Sequence, residues 1–173
     1  MALVLLRHTT PNIAAGICYG QTDLDVAETF PSEAEQALEA LPAIDHIVTS
    51  PLTRCRRLAE FVGARLKLPV EQDVRIGEMD FGAWEGQAWS AIPRGELDQW
   101  ADDFYRARPH GGEAVEMLHA RTVAAVEAWN QVGKTGLLVT HAGVIRAALA
   151  QGQSASDFQT AIDFGGFISI PCP

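Results

Sequence analysis

Two histidines and two arginines stand at or just beyond the ends of short apolar runs, and together those residue types suit phosphoryl transfer. Arg7-His8 closes the run Leu3 to Leu6, Ser50-Pro51-Leu52-Thr53-Arg54 closes the run Ile44 to Thr49, and His141-Ala142-Gly143 follows Leu137 to Thr140. An arginine fork matches phosphate oxygens bidentately, a neutral imidazole is a nucleophile, and a second imidazole can donate to a phosphoryl oxygen. Either histidine alone reads as a satisfied polar residue near a core; their shared placement after apolar runs is what points to chemistry. Arg56 and Arg57 beside Arg54 read as a solvated helix face, so the spacing after Ser50 singles out Arg54. His46, His110 and His119 read as structural or surface residues.

Other motifs carry less. Gly133-Lys134-Thr135 resembles the end of a phosphate-binding loop, but Ala128 occupies the earlier glycine position and a helix, not a strand, precedes it. Asp23-Leu24-Asp25-Val26 follows no buried strand, as an aspartyl phosphatase start would, and such a site would require Mg²⁺. Neither Cys18 nor Cys55 has an arginine six residues on, which excludes a thiol phosphatase pattern. No metal-ligand spacing is visible, so neither metal nor cofactor is expected and activity should survive chelation.

The elements that must position these residues follow from periodicity. Leu3 to Leu6, Ile44 to Thr49 and Leu137 to Thr140 are short aliphatic runs of the kind found in buried parallel strands. Pro69-Val70-Glu71 reads as a short strand and Phe167 to Ile170 as a terminal edge strand. Helical spacing covers Ser32 to Leu41, Pro51 to Leu66 and about Gly112 to Val132, the last with Val115, Leu118, Thr122, Val126 and Trp129 on one face. Ser50 as cap and Pro51 as first helical residue mark the second helix start. Alternating strands and helices predict an α/β fold: a three-layer α/β/α sandwich with a mostly parallel central sheet, one domain over 1–173. In such a sheet ligands bind outside the carboxyl ends of the strands, where Arg7, His8, Arg54 and His141 fall. Trp84, Trp89, Trp100 and Trp129 read as core or helix-packing residues rather than stacking platforms, with a lid lining as the alternative for Trp89 and Trp100 in the least regular stretch.

Composition bounds the function classes. With 47% apolar and 20% charged residues the chain is an ordinary globular one, and no apolar run reaches the roughly 18 residues of a membrane span. Three unevenly spaced cysteines argue against a disulfide framework and for the cytoplasm. The net charge of −9 disfavours nucleic acid and anionic membranes, so an anionic ligand must be captured by a local basic cluster. The expected partner is a small phosphate ester, and a homodimer is allowed.

The same residues resemble the histidine phosphatase (phosphoglycerate mutase-like) superfamily over nearly the whole chain. Leu5-Leu6-Arg7-His8-Thr9 is similar to its Arg-His-Gly signature with threonine for glycine; Ser50 to Arg54 matches its second arginine motif, and Val139 to Val144 its second histidine motif. Glu78, ahead of Gly82-Ala83-Trp84-Glu85-Gly86, matches its general acid. The resemblance implies His8 as phosphorylated nucleophile, Arg7, Arg54 and His141 around the phosphoryl oxygens, Glu78 as acid and then base, and Thr9, Gln21 and Ala142 as further substrate contacts. Cys18-Tyr19-Gly20-Gln21-Thr22-Asp23 and Pro109-His110-Gly111-Gly112-Glu113 resemble segments of α-ribazole phosphatases, with Ala114 where serine is usual. The expected activity is phosphomonoester hydrolysis, with α-ribazole 5′-phosphate the first substrate and a broad sugar or glycerate phosphatase or a mutase as alternatives. A non-catalytic phosphate-binding protein, which would need the arginines but neither His8 nor Glu78, is the alternative from another class.

Overall fold

A computed structural model describes residues 2–130 and 133–171. Its five strands, β1 (Ala2–Arg7), β2 (His46–Thr49), β3 (Val70–Gln72), β4 (Gly136–Thr140) and β5 (Phe167–Pro171), form one sheet in the order β3-β2-β4-β1-β5. All neighbours run parallel except the edge pair β1 and β5, which is antiparallel. The helices are α1 (Phe30–Ala40), α2 (Thr53–Leu66), α3 (Arg94–Asp102), α4 (Val115–Asn130) and α5 (Ala142–Leu149).

Three layers follow from the alternation of side chains along each strand. Val4 and Leu6 of β1, Ile47 of β2, and Leu137 and Val139 of β4 pack with Ala34 and Ala37 of α1 and Leu58, Ala59 and Val62 of α2. Leu3, Leu5, Val48 and Leu138 point the other way and pack with Val115, Leu118 and Ala125 of α4 and Val144, Ile145 and Ala147 of α5. Strands β1, β2 and β4 carry apolar residues on both faces, which is why they read as continuous aliphatic runs.

Register places the chemistry. Arg7 is level with Thr140 and Thr49 with Val139, so His8, Ser50 and His141 leave the sheet side by side. His8 N–H donates to the Thr140 carbonyl (3.0 Å) and Ser50 N–H to the Val139 carbonyl (2.9 Å), carrying the parallel pairing one residue past each strand.

Several expectations need correction. Helix α2 begins at Thr53, with Pro51 and Leu52 in the turn before it and no side-chain cap from Leu52. Its cap comes from afar: Asp23 accepts from Thr53 N–H (2.7 Å) and Thr53 O–H (2.8 Å). Helix α1 starts at Phe30 rather than Ser32, and α4 at Val115 rather than near Gly112. Val132, expected in that helix, and Cys172 lie outside the described residues. Helices α3 and α5 went unpredicted: α3 buries no residue fully, and α5 spans only 8 residues directly after a strand. Among the described residues no helix is long and apolar enough to cross a membrane.

Candidate active site

His8 is 2% exposed, and its Nδ1 lies 2.7 Å from the Thr9 carbonyl. A carbonyl only accepts, so Nδ1 carries the proton and the lone pair is left on Nε2. Burial, reinforced by the positive charge of Arg54, holds the His8 pKa down at about 3. The ring is therefore neutral and nucleophilic at ordinary pH. His141, also fully buried, lies edge-on to it with ring centroids 5.3 Å apart, and its pKa is lowered well below the usual value, first by burial and then by His8. Its Nε2 is 2.8 Å from Ser50 Oγ, so the serine expected to cap a helix is instead the histidine's partner.

Arg54 is held in the first turn of α2 by donating Nη1–H to the Thr22 carbonyl (2.8 Å) and Nη2–H to the Gly20 carbonyl (2.6 Å). That loop is itself fixed by Glu85, whose Oε1 accepts from Gln21 N–H and whose Oε2 accepts from Thr22 N–H, both at 2.9 Å. The Trp-Glu-Gly turn thus positions Arg54 indirectly. Arg7 donates to the Ile162 carbonyl (2.7 Å) and stacks over Phe164, 3.8 Å from the ring centroid. The Nε–H groups of Arg7 and Arg54 are buried with no acceptor in the protein. Buried donors are ordinarily satisfied, so two such groups beside His8 mark an anion-binding site.

Glu78 presents its carboxylate to the same space. Its Oε1 accepts from Met79 N–H (2.9 Å) and its Oε2 from Gly143 N–H (3.2 Å) in the first turn of α5. Glycine at 143 leaves room for the carboxylate in this seat, because a Cβ there would lie 2.2 Å from Glu78 Oε1 and push it aside.

Arg7, His8, Glu78, Ala142 and Gly143 line one cavity of about 320 Å³. The lining is also aromatic, with Phe81, Trp89, Trp100, Phe104 and Phe158, and includes Arg146 as a further cation. Trp89, in a single 3-10 turn, and Trp100, in α3, line the cavity, while Trp84 is core at 1% exposure. Thr9 is buried and lines none of this cavity; what it contributes is the carbonyl that orients His8. Gln21 also stands off it, donating its side-chain amide to the Glu78 carbonyl (2.6 Å). His110 is buried against Trp84, with ring centroids 4.8 Å apart, and is absent from the cavity wall. Arg56 and Arg57 face solvent and pair with Glu60 and Asp25. Among the described residues no three His, Cys, Asp or Glu side chains gather as a metal site.

Sequence reasoning missed Tyr19 and Arg146. Tyr19 lines the cavity beside Arg7 and its ring lies 5.2 Å from the Arg54 guanidinium; burial pushes its pKa up, so it keeps its proton. Its position inside the Cys-Tyr-Gly segment was the available signal. Arg146, four residues after Ala142, shares its helix face and could have been found from that spacing had α5 been recognised.

Residues 3–162 match the family model described as the histidine phosphatase superfamily (branch 1). The chain is 30% identical over 156 residues to the uncharacterized phosphatase PhoE of Bacillus subtilis (strain 168), covering 87% of this chain and 76% of that protein. It is 25% identical over 160 residues to the adenosylcobalamin/alpha-ribazole phosphatase of Escherichia coli (strain K12), covering 87% and 78%. Among solved structures, the mycobacterial glucosyl-3-phosphoglycerate phosphatase Rv2419c in complex with VO3 superposes with a TM-score of 0.84 at 27% identity, covering 97% of this chain and 91% of that one.

Proposed function

The chain belongs to the histidine phosphatase superfamily, and from that premise we propose that it hydrolyses a small phosphomonoester through a phosphohistidine on His8. The observation that carries this reading is the state of His8: neutral through burial, with Nδ1 tied to the Thr9 carbonyl and Nε2 free beside two arginines. Nε2 attacks phosphorus in line. Arg7, Arg54 and His141 hold the equatorial oxygens and stabilise the charge that develops there. Glu78 gives its proton to the departing alkoxide; as carboxylate it then takes a proton from the water that attacks the phosphohistidine, releasing phosphate and restoring His8. Tyr19 stands beside Arg7 and Arg54. No step needs a metal, and full activity in chelator is expected. The two described cysteines, Cys18 and Cys55, are free and buried, which supports a reducing cytoplasm as the setting.

The aromatic lining of the cavity that holds His8 favours a leaving group with a flat, apolar part over a glycerate or a plain sugar. That supports α-ribazole 5′-phosphate as the first substrate, in line with the E. coli relative's printed activity. The test compares kcat/KM for α-ribazole 5′-phosphate, 3-phosphoglycerate and glucose 6-phosphate, with and without chelator. Preference for α-ribazole 5′-phosphate, unchanged by chelator, is expected. Preference for either polar ester would move the reading to a sugar or glycerate phosphatase, and tight binding of all three without turnover to a phosphate-binding protein.

A further inference from the structure

Glu78 sits in an irregular stretch between the single 3-10 turn at Val74–Ile76 and the one at Gly82–Trp84, outside any ladder that would fix it. An acid that must reach one leaving oxygen cannot tolerate a loose backbone, and a misplacement of about 1 Å can lower a rate about 10²-fold. Gln21 donates to the Glu78 carbonyl from one side (2.6 Å), and a single side chain on α4 holds the rest of the stretch. Arg121 makes a fork to Glu113, with Nε–H to Oε1 at 2.7 Å and Nη2–H to Oε2 at 3.0 Å. Its remaining donors all go to the acid's own segment: Nη1–H groups to the carbonyls of Arg75 (2.6 Å) and Gly77 (2.7 Å), and Nη2–H to the carbonyl of Glu78 (3.1 Å). Every donor of the guanidinium is engaged.

Glu113 completes the clamp. Its N–H donates to the Asp80 carbonyl (2.8 Å), and its Oε2 also accepts from Asp80 N–H (3.3 Å). Glu78 is thereby gripped from both sides along the chain. Arg121 neither touches the Glu78 carboxyl nor lines the cavity that holds His8; with Gln21 and Glu113 it lines a separate space of about 470 Å³. Helix α4 does not need the clamp to pack, since Val115, Leu118, Thr122 and Ala125 bury its inner face.

We propose that Arg121, locked by Glu113, is the positioning residue of the general acid, fixing the Glu78 backbone so that its carboxyl meets the leaving oxygen. This rests on the phosphatase reading given above. The reaction supplies a readout that a merely structural role would not move. An alkyl phosphate needs a proton on its leaving alkoxide, whereas p-nitrophenyl phosphate releases a stable phenolate without one. Because kcat/KM covers steps up to loss of the alcohol, it isolates the acid's part.

The experiment measures kcat/KM of the full chain and its Arg121→Ala, Arg121→Lys and Glu113→Gln variants on an alkyl phosphate and on p-nitrophenyl phosphate. Arg121→Ala is expected to lower the alkyl ester about 10²-fold while leaving the aryl ester nearly unchanged. Lysine, keeping one carbonyl contact, should restore part of the loss, and Glu113→Gln should show the same split in smaller measure. Glu78→Gln sets the scale, lowering the alkyl ester far more than the aryl one. Parallel loss on both esters, or no loss on either, in whichever of the variants folds by circular dichroism, would overturn the positioning role while leaving the phosphatase intact. A wild type inert toward both esters would overturn the phosphatase reading and the clamp's role with it.

Discussion

The protonation state of His8 follows from two ordinary facts, burial and one carbonyl. Burial makes the charged imidazole unfavourable, and the Thr9 carbonyl decides which nitrogen is left bare. The gathering of Arg7, His8, Arg54 and His141 at one end of the sheet was legible in the sequence because each stands at or just past a strand end, whereas Glu78 was placed there by the family resemblance alone. Tyr19, Arg146 and Arg121 were not legible, because their partners lie far along the chain: Tyr19 meets Arg7 and Arg54, Arg146 meets Thr160, and Arg121 meets Arg75 to Glu78. Spacing cannot announce a contact that only the fold makes. Thr9 and Gln21 were legible as members of motifs but not in their duties, which are backbone and second-hand. Gly143 gives a sharp test at this scale. A methyl group there collides with the Glu78 carboxylate, so Gly143→Ala should lower kcat/KM for an alkyl phosphate about 10²-fold while circular dichroism and Tm stay close to wild type. Undiminished turnover would mean that the carboxylate does not need its present seat at the start of α5.

At the scale of elements, the sheet was readable because β1, β2 and β4 are buried on both faces and so appear as unbroken aliphatic runs. Helix starts were less so. Ser50 and Pro51 carry every local sign of a helix start, yet the serine is drawn to His141 and Asp23 supplies the cap from the loop between β1 and α1. That long-range cap predicts that Asp23→Ala weakens the protein by about 1 kcal/mol, the usual value of a lost cap, read by urea unfolding; no change would mean Thr53 N–H is equally well served by water. Helix α3 escaped notice because its contribution is one wall, with Trp100 facing the cavity beside Trp89. Trp89→Ala and Trp100→Ala should raise KM for an apolar phosphomonoester more than for inorganic phosphate as inhibitor. Equal weakening of both ligands would show that the wall shapes the phosphate site and not the leaving-group space.

For the whole molecule, the excess of acids is answered locally. Seven arginines pair with carboxylates, whereas Arg7 and Arg146, which line the cavity, and Arg54, which donates to the Thr22 and Gly20 carbonyls, pair with none among the described residues. A chain of charge −9 thus keeps a positive site for a dianionic ester. The buried neutral imidazoles also set the pH response of stability. His8, His110 and His141 all have pKa values lowered by burial, so below the ordinary histidine value of about 6.5 the unfolded chain binds protons that the native one refuses. Stability must then fall as pH drops through that value toward the folded His8 pKa of about 3. Tm should decline steadily from pH 7 to pH 5, before most carboxylates titrate, and a flat Tm over that range would contradict neutral burial. The most direct test of the chemistry is trapping with a labelled phosphomonoester, quenched in alkaline detergent and then split between acid and base treatment, comparing wild type with His8→Ala. Wild type should yield a base-stable, acid-labile phosphoenzyme that is absent from the variant; turnover with no such species, or label that persists after His8 is removed, would contradict a phosphohistidine mechanism.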